Sequence, residues 1–229
     1  MLPDFAAVIL DLDGLTLDTE STYSYAWKQA AKEFGVQLDE EFCHRLFGRH
    51  ADDVMQALAG KIGSGFDRSR FYELAAAFWR THVAAHGIGK MPGLDGLLDI
   101  LVRERIPYAL ATNSDGPYAR ECLRVSGVSQ RFPMVVTRDQ VAKGKPAPDL
   151  VLEAAKRLDA PPGRCLVLED SETGLLAARS AGALPVLVLS EPAAPAHLKN
   201  LALEAFPSLI FVAAAIERSP SDVPSPRRT

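Results

Sequence analysis

Five short apolar runs constrain the architecture of this chain more than any other feature: FAAVIL (5–10), PYALAT (107–112), PMVVT (133–137), CLVLE (165–169) and PVLVL (185–189). From residue 94 onward such runs alternate with segments of helical character at 94–105, 116–126, 149–158 and 172–181. A helix between consecutive strands implies crossover connections, and crossovers build a parallel sheet. The runs are apolar throughout rather than alternating, as strands are when helices cover both faces of the sheet. The expected fold class is α/β, with a parallel-sheet, Rossmann-like core. Residues 195–216 read equally as helix and as a last strand.

The first run is separated from the others by a long stretch of different texture. In ESTYSYAWKQAAKEF (20–34), Ala26, Ala30 and Phe34 recur at helical spacing with Trp27 and Ala31 beside them, and Gly35 follows as a stop. Residues 39–47, 51–59 and 67–86 also read as helices, and no strand pattern occurs between 15 and 90. The chain therefore divides into a core of residues 1–14 and 92–216, an inserted all-helical cap of residues 15–91, and a Ser/Pro-rich tail, 217–229, expected to be disordered. The crossings fall at 15–19 and 87–92. An insertion at the C-terminal end of a strand lies over the edge where open α/β sheets bind ligands, a position that suits a lid.

A net charge of −4 argues against nucleic acid as a partner. The opening MLPDFAAVILDLDG lacks a basic region and a long apolar stretch, and no run approaches membrane-spanning length. Cys43, Cys122 and Cys165 are scattered and odd in number, which fits a reducing compartment. The expectation is a cytoplasmic monomer that meets a small molecule, with neither nucleic acid nor a membrane as partner.

Polar groups cluster where the apolar runs end. DLDGLTLDTE (11–20) places Asp11, Asp13, Asp18 and Glu20 within ten residues, more acids than a turn needs. Thr112, Asn113 and Ser114 follow the second run, Glu169 and Asp170 end the fourth, and KGKPAPD supplies Lys145, with Lys143 as a nearby competitor. Parallel strands bring their C-terminal ends together, so Asp11, Asp13, Thr112, Glu169 and Asp170 should converge, with Lys145 arriving on a loop. Clustered carboxylates without a His or Cys group call for Mg²⁺. A lysine and a hydroxyl beside them match a phosphate ligand. A carboxylate can attack as nucleophile while a second supplies a proton. These residues point to Mg²⁺-dependent phosphoryl transfer.

DLDGLTLDTE, ATNS, GKPAPD and LEDSETG, in this order and spacing, resemble the four motifs of the haloacid dehalogenase superfamily. More narrowly they are similar to its phosphatase and β-phosphoglucomutase-like branch, which carries a helical cap between the first and second motifs. The resemblance covers residues from about 5 to 190. It implies Asp11 as nucleophile, Asp13 as acid and then base, Thr112 as phosphoryl ligand, and Lys145 as the neutralising charge. It implies Mg²⁺ held by Asp11, the main-chain carbonyl of Asp13, and Asp170, with Glu169 near the ion or bound through water. Glu20, Gly48, Arg49, Asn113 and Ser114 are the candidate substrate-binding residues. Gly14 would let the chain turn into the cap, and Asp18 would hold that turn.

The implied activity is hydrolysis of a small phosphorylated metabolite, a sugar phosphate above all, through an aspartyl phosphate. A mutase is the alternative. The mutase pattern has a His where this chain has Tyr23, and an Arg just past the cap Gly where Arg49 is out of register. A dehalogenase is disfavoured because it works without Mg²⁺ and lacks the second Asp. A phosphonatase would need a cap lysine in a recognisable motif, which Lys28, Lys32 and Lys61 do not provide. A phosphoacceptor signalling domain uses similar groups, but its Asp lies on a later strand and it has no such cap. His82 and His86 have the spacing of a metal pair but no third ligand, so they read as helix surface. Trp27, Phe78 and Trp79 read as cap core, and Gly174 as a helix-packing glycine.

Overall fold

The computed structural model describes residues 2–47, 51–189 and 196–218. In chain order the elements begin with β1 (Ala7–Leu10), β2 (Leu17–Asp18), α1 (Thr19–Lys32), α2 (Glu40–His44), α3 (Ala51–Ile62), α4 (Arg68–His86) and β3 (Gly89–Lys90). Then come α5 (Leu94–Arg103), β4 (Tyr108–Ala111), α6 (Gly116–Val125), β5 (Val135–Val136), α7 (Asp149–Arg157) and β6 (Cys165–Glu169). The last are α8 (Glu172–Ser180), β7 (Leu184–Val188), α9 (Ala196–Leu201), β8 (Glu204–Phe206) and α10 (Leu209–Glu217). Six strands form one parallel sheet in the order β5-β4-β1-β6-β7-β8.

The uniform apolarity of the strands has the expected cause. Val8 and Leu10 of β1 point into a core shared with Leu97, Leu101, Leu123 and Val212 from α5, α6 and α10. Ala7 and Ile9 point the other way, into a core with Leu150, Val151, Ala154 and Ala177 from α7 and α8. The inserted helices hold a third apolar cluster of their own, built around Ala30, Leu46, Leu58 and Phe71.

Several boundaries differ from those expected. The stretch read as free of strands contains β2 and β3, which pair antiparallel with Leu17 opposite Lys90 and Asp18 opposite Gly89. Two-residue strands are too short to carry a period, so only the meeting of the two chain crossings makes them visible. The run at 133–137 yields only Val135–Val136, at the sheet edge where a single neighbour supports it. Of the stretch 195–216, the described residues 196–216 form helix, strand and helix, and α10 continues to Glu217, inside the segment read as tail. Residues 219–229 of that tail, with Gly48, Arg49 and His50, lie outside the described residues. Among the described residues no helix is long and apolar enough to cross a membrane.

Candidate active site

β1 lies between β4 and β6, and the chain leaves it toward β4 and β5 before returning to β6 on its other side. This is a switch point, where a crevice opens beyond the strand ends. Asp11 follows β1, Thr112 follows β4, and Glu169 closes β6 with Asp170 next. All four therefore stand at one edge.

Lys145 ties this edge together. Its Nζ donates to Asp11 Oδ1, to Glu169 Oε1 and, at 2.8 Å, to the carbonyl of Ala111. Lys145 and Glu169 are buried, the latter fully. Asn113 docks the lysine loop: its Oδ1 accepts from Lys145 N at 2.7 Å and its Nδ2 donates to Lys145 O at 3.1 Å. The competitor Lys143 is exposed, with its main-chain N–H on Asp149. Asn113, expected to bind substrate, thus has both ends of its amide on the main chain of Lys145.

Asp13 faces a different set of partners. Its Oδ2 accepts from Ser114 Oγ at 2.8 Å and its Oδ1 from the Tyr118 hydroxyl at 3.0 Å, with Thr112 Oγ1 more distant at 3.5 Å. Its main-chain N–H donates to Asp11 Oδ2 at 3.0 Å. Ser114, another expected substrate contact, is therefore engaged with Asp13. Asp115 rather than Thr112 caps α6, accepting from Tyr118 N.

The electrostatics are those of a site short of positive charge. Burial pushes the Asp11 carboxyl up to about 7, opposed by Lys145 and reinforced by Glu169 and Asp13. Burial also raises Asp170 well above the carboxylate range, with Asp11, Glu169 and Glu20 adding to it. For Lys145, burial acts downward, but Asp11 and Glu169 outweigh it and hold the ammonium above its ordinary value. Oxygens of Asp11, Glu169 and Asp170 lie within 4.8 Å of one another. One lysine against three carboxylates leaves a deficit that a hard divalent cation fits, in oxygen donors such an ion prefers.

Two glycines make room for these acids. Gly14 has φ +79°, and a Cβ there would stand 2.3 Å from Asp170 Oδ2. It serves both the turn and the approach of Asp170. A Cβ on Gly174 would meet the Glu169 carboxylate at 1.9–2.1 Å, so this glycine accommodates a buried acid rather than a helix contact. Glu169 is pinned by Lys145 and by Ser171 Oγ, which donates to Oε2 at 3.0 Å. Gly174→Ala is expected to destabilise the protein by about 1–3 kcal/mol through overpacking, read as a lower urea midpoint with unchanged slope. An unchanged midpoint would show that Glu169 has another position to occupy.

The inserted helices border the site. Glu20, in the first turn of α1, approaches the Gly14–Asp170 contact. Asp18 caps α1 by accepting from Ser21 N and Oγ. Tyr23 stacks on Trp27 and Trp79 and packs against Tyr118. Trp79, read as cap core, instead packs against the core domain's cluster and on Tyr118. Trp27 and Phe78 do join the cap cluster. His82 lies between Tyr25 and His86 in ring contacts, and neither histidine belongs to a metal-capable group among the described residues. The sequence reading missed Tyr118 and Ser171. Tyr118 meets Asp13 across 105 residues of chain, and no local spacing in the sequence announces that contact.

Fold and site together define an α/β protein with an acid–lysine centre at the switch point of its sheet, bordered by an inserted helical unit. The model of the haloacid dehalogenase-like hydrolase family matches residues 8–188. The chain is 33% identical over 180 residues to a phosphorylated carbohydrates phosphatase of Thermotoga maritima, covering 77% of this chain and 81% of that one. It is 32% identical over 188 residues to a β-phosphoglucomutase of Bacillus subtilis, covering 79% and 81%. A crystal structure of a family hydrolase from Deinococcus radiodurans, with bound phosphate and sodium, superposes with a TM-score of 0.79 at 30% identity, covering 93% of this chain and 95% of that one. The chain belongs to the haloacid dehalogenase-like hydrolase family.

Proposed function

We propose that this protein is a phosphatase that hydrolyses a small phosphorylated metabolite, a sugar phosphate, through an aspartyl phosphate on Asp11. The observation that carries this reading is the division of labour between two neighbouring aspartates. Asp11 sits with Lys145 and the metal-capable acids, while Asp13 is turned to hydroxyl donors. An oxygen of Asp11 bonds to phosphorus as the ester P–O bond breaks, and the departing oxygen takes a proton from Asp13. Asp13 then takes a proton from water as that water attacks phosphorus, releasing Asp11 and inorganic phosphate. Lys145 balances charge on Asp11 and the phosphoryl oxygens, and Thr112 supplies a hydroxyl to them. Asp11, Asp170 and the Asp13 carbonyl would hold Mg²⁺, with Glu169 behind them. The ion supplies neutralisation of the charge gathered on the phosphoryl group.

Names of relatives support both hydrolysis and isomerisation. Hydrolysis is favoured because Tyr23, at the position of the mutase His, is packed into the Trp27–Trp79–Tyr118 cluster. A panel of phosphorylated metabolites tests the reading, with phosphate release lost in EDTA and restored by Mg²⁺. Full activity in metal-free buffer would remove the metal from the scheme. Faster conversion of β-glucose 1-phosphate to glucose 6-phosphate than phosphate release would favour the mutase.

A further inference from the structure

Tyr118 is neither in a family motif nor among the residues assigned above, yet its hydroxyl reaches Asp13 Oδ1 at 3.0 Å. The Tyr118 hydroxyl is directed at Oδ1, an oxygen that can accept its proton whether or not Oδ2 carries the acid proton. Ser114, in the turn just before the N-cap of α6, fixes the other oxygen at 2.8 Å. With one oxygen held from the first turns of α6 and the other from the turn before it, the plane of the carboxyl group is set. The ring of Tyr118 is in turn gripped from the inserted unit. Tyr23 of α1 packs on it at 6.1 Å between centroids and Trp79 of α4 at 5.6 Å. Trp79 is itself fixed, its Nε1–H donating to Thr22 Oγ1 at 2.9 Å.

We infer that Tyr118 is a positioning residue for the acid Asp13, and that Tyr23 and Trp79 make this positioning depend on where the cap sits. The inference rests on the phosphatase reading above. In the first half-reaction Asp11 forms its bond to phosphorus, the P–O(leaving) bond breaks, and the Asp13 proton passes to the departing oxygen. A misaimed Asp13 therefore costs most when the departing oxygen is most basic. An aim set by the cap means that proton delivery is best when the helices are seated against α6, the arrangement in which water is best kept out.

The test uses aryl phosphates of similar shape and rising leaving-group basicity: p-nitrophenyl, phenyl and p-methoxyphenyl phosphate. Tyr118→Phe keeps the ring and removes only the donor. Its kcat/KM, which reports steps through leaving-group departure, should fall about tenfold on phenyl phosphate and about twofold on p-nitrophenyl phosphate, the scale of one lost hydrogen bond in the transition state. The p-methoxy ester should lose at least as much as phenyl phosphate. Tyr23→Leu, which leaves the Tyr118 hydroxyl but removes both the ring and the hydroxyl of Tyr23 beside it, should show the same slope at smaller amplitude. Asp13→Asn serves as the reference, with a steeper slope of the same sign. Equal losses across the series for Tyr118→Phe, or none, beside a sloped response of Asp13→Asn, would overturn the inference and leave the phosphatase reading intact. Absence of cleavage of every ester by the unaltered enzyme with Mg²⁺ would instead overturn that reading, and the inference with it.

Discussion

Asp11→Asn is expected to reduce phosphate release to the background rate and to leave no acid-stable phosphoryl group on the quenched protein. An amide is a poor nucleophile, and no neighbour is placed to replace it. Asp13 is turned to Ser114 and Tyr118, and Asp170 lies under Gly14. The variant should fold normally. Burial already works against the charged form of Asp11, and an amide of the same shape removes one of three crowded acids. In EDTA its urea-unfolding free energy should match the unaltered protein to within about 1 kcal/mol, because the amide removes a charge that burial opposes while Lys145 keeps Glu169 as its partner. Turnover at an ordinary rate would place the nucleophile elsewhere.

Lys145→Met should be the most disruptive single change, in stability as well as in rate. It leaves Asp11 and Glu169 buried without their shared cation. Breaking a buried pair from one side typically costs about 3–5 kcal/mol, and loss of a charge aimed at the reacting group costs about 10²–10³ in rate. The stability deficit should widen as pH rises. Lys145 opposes the raised value of Asp11, so without it Asp11 holds its proton to higher pH, and as pH climbs past the value in the unaltered protein the variant alone goes on losing the stability of its protonated form. Urea titrations at several pH values in EDTA would show this. A deficit independent of pH would mean that Lys145 contributes packing rather than charge.

Much of this site was legible because strand ends are legible. Apolar runs that stop abruptly at Asp11, Thr112 and Glu169 mark the C-terminal edge of a parallel sheet, and parallel connection brings those ends together whatever the details. Lys145 over Lys143 could also be read, because it directly precedes PAPD as the family motif it resembles requires. The partners of these residues could not. Asn113 docking the lysine loop and Tyr118 on Asp13 are contacts between segments far apart in the chain, and Gly174 gives way to Glu169 through a close approach that no local period announces. The same holds for β2 and β3, which are two residues each and exist only because the crossings meet. Trp79 read as cap interior because its helical face is apolar, and a face cannot say which of two neighbours it packs on.

The sequence by itself determined the parallel α/β core, the inserted helices, the identities of the acids, the threonine and the lysine, and the charge imbalance that calls for a cation. These depend on residue type and chain order, which fix what each segment can bury and where a strand must end. Only the tertiary structure decided which partners each of the two aspartates takes, which side chains hold the lysine loop, and that cap aromatics from α1 and α4 clasp Tyr118. Those outcomes depend on distances of a few ångströms between helices and loops, set by how three apolar clusters pack against one another rather than by any one stretch of chain.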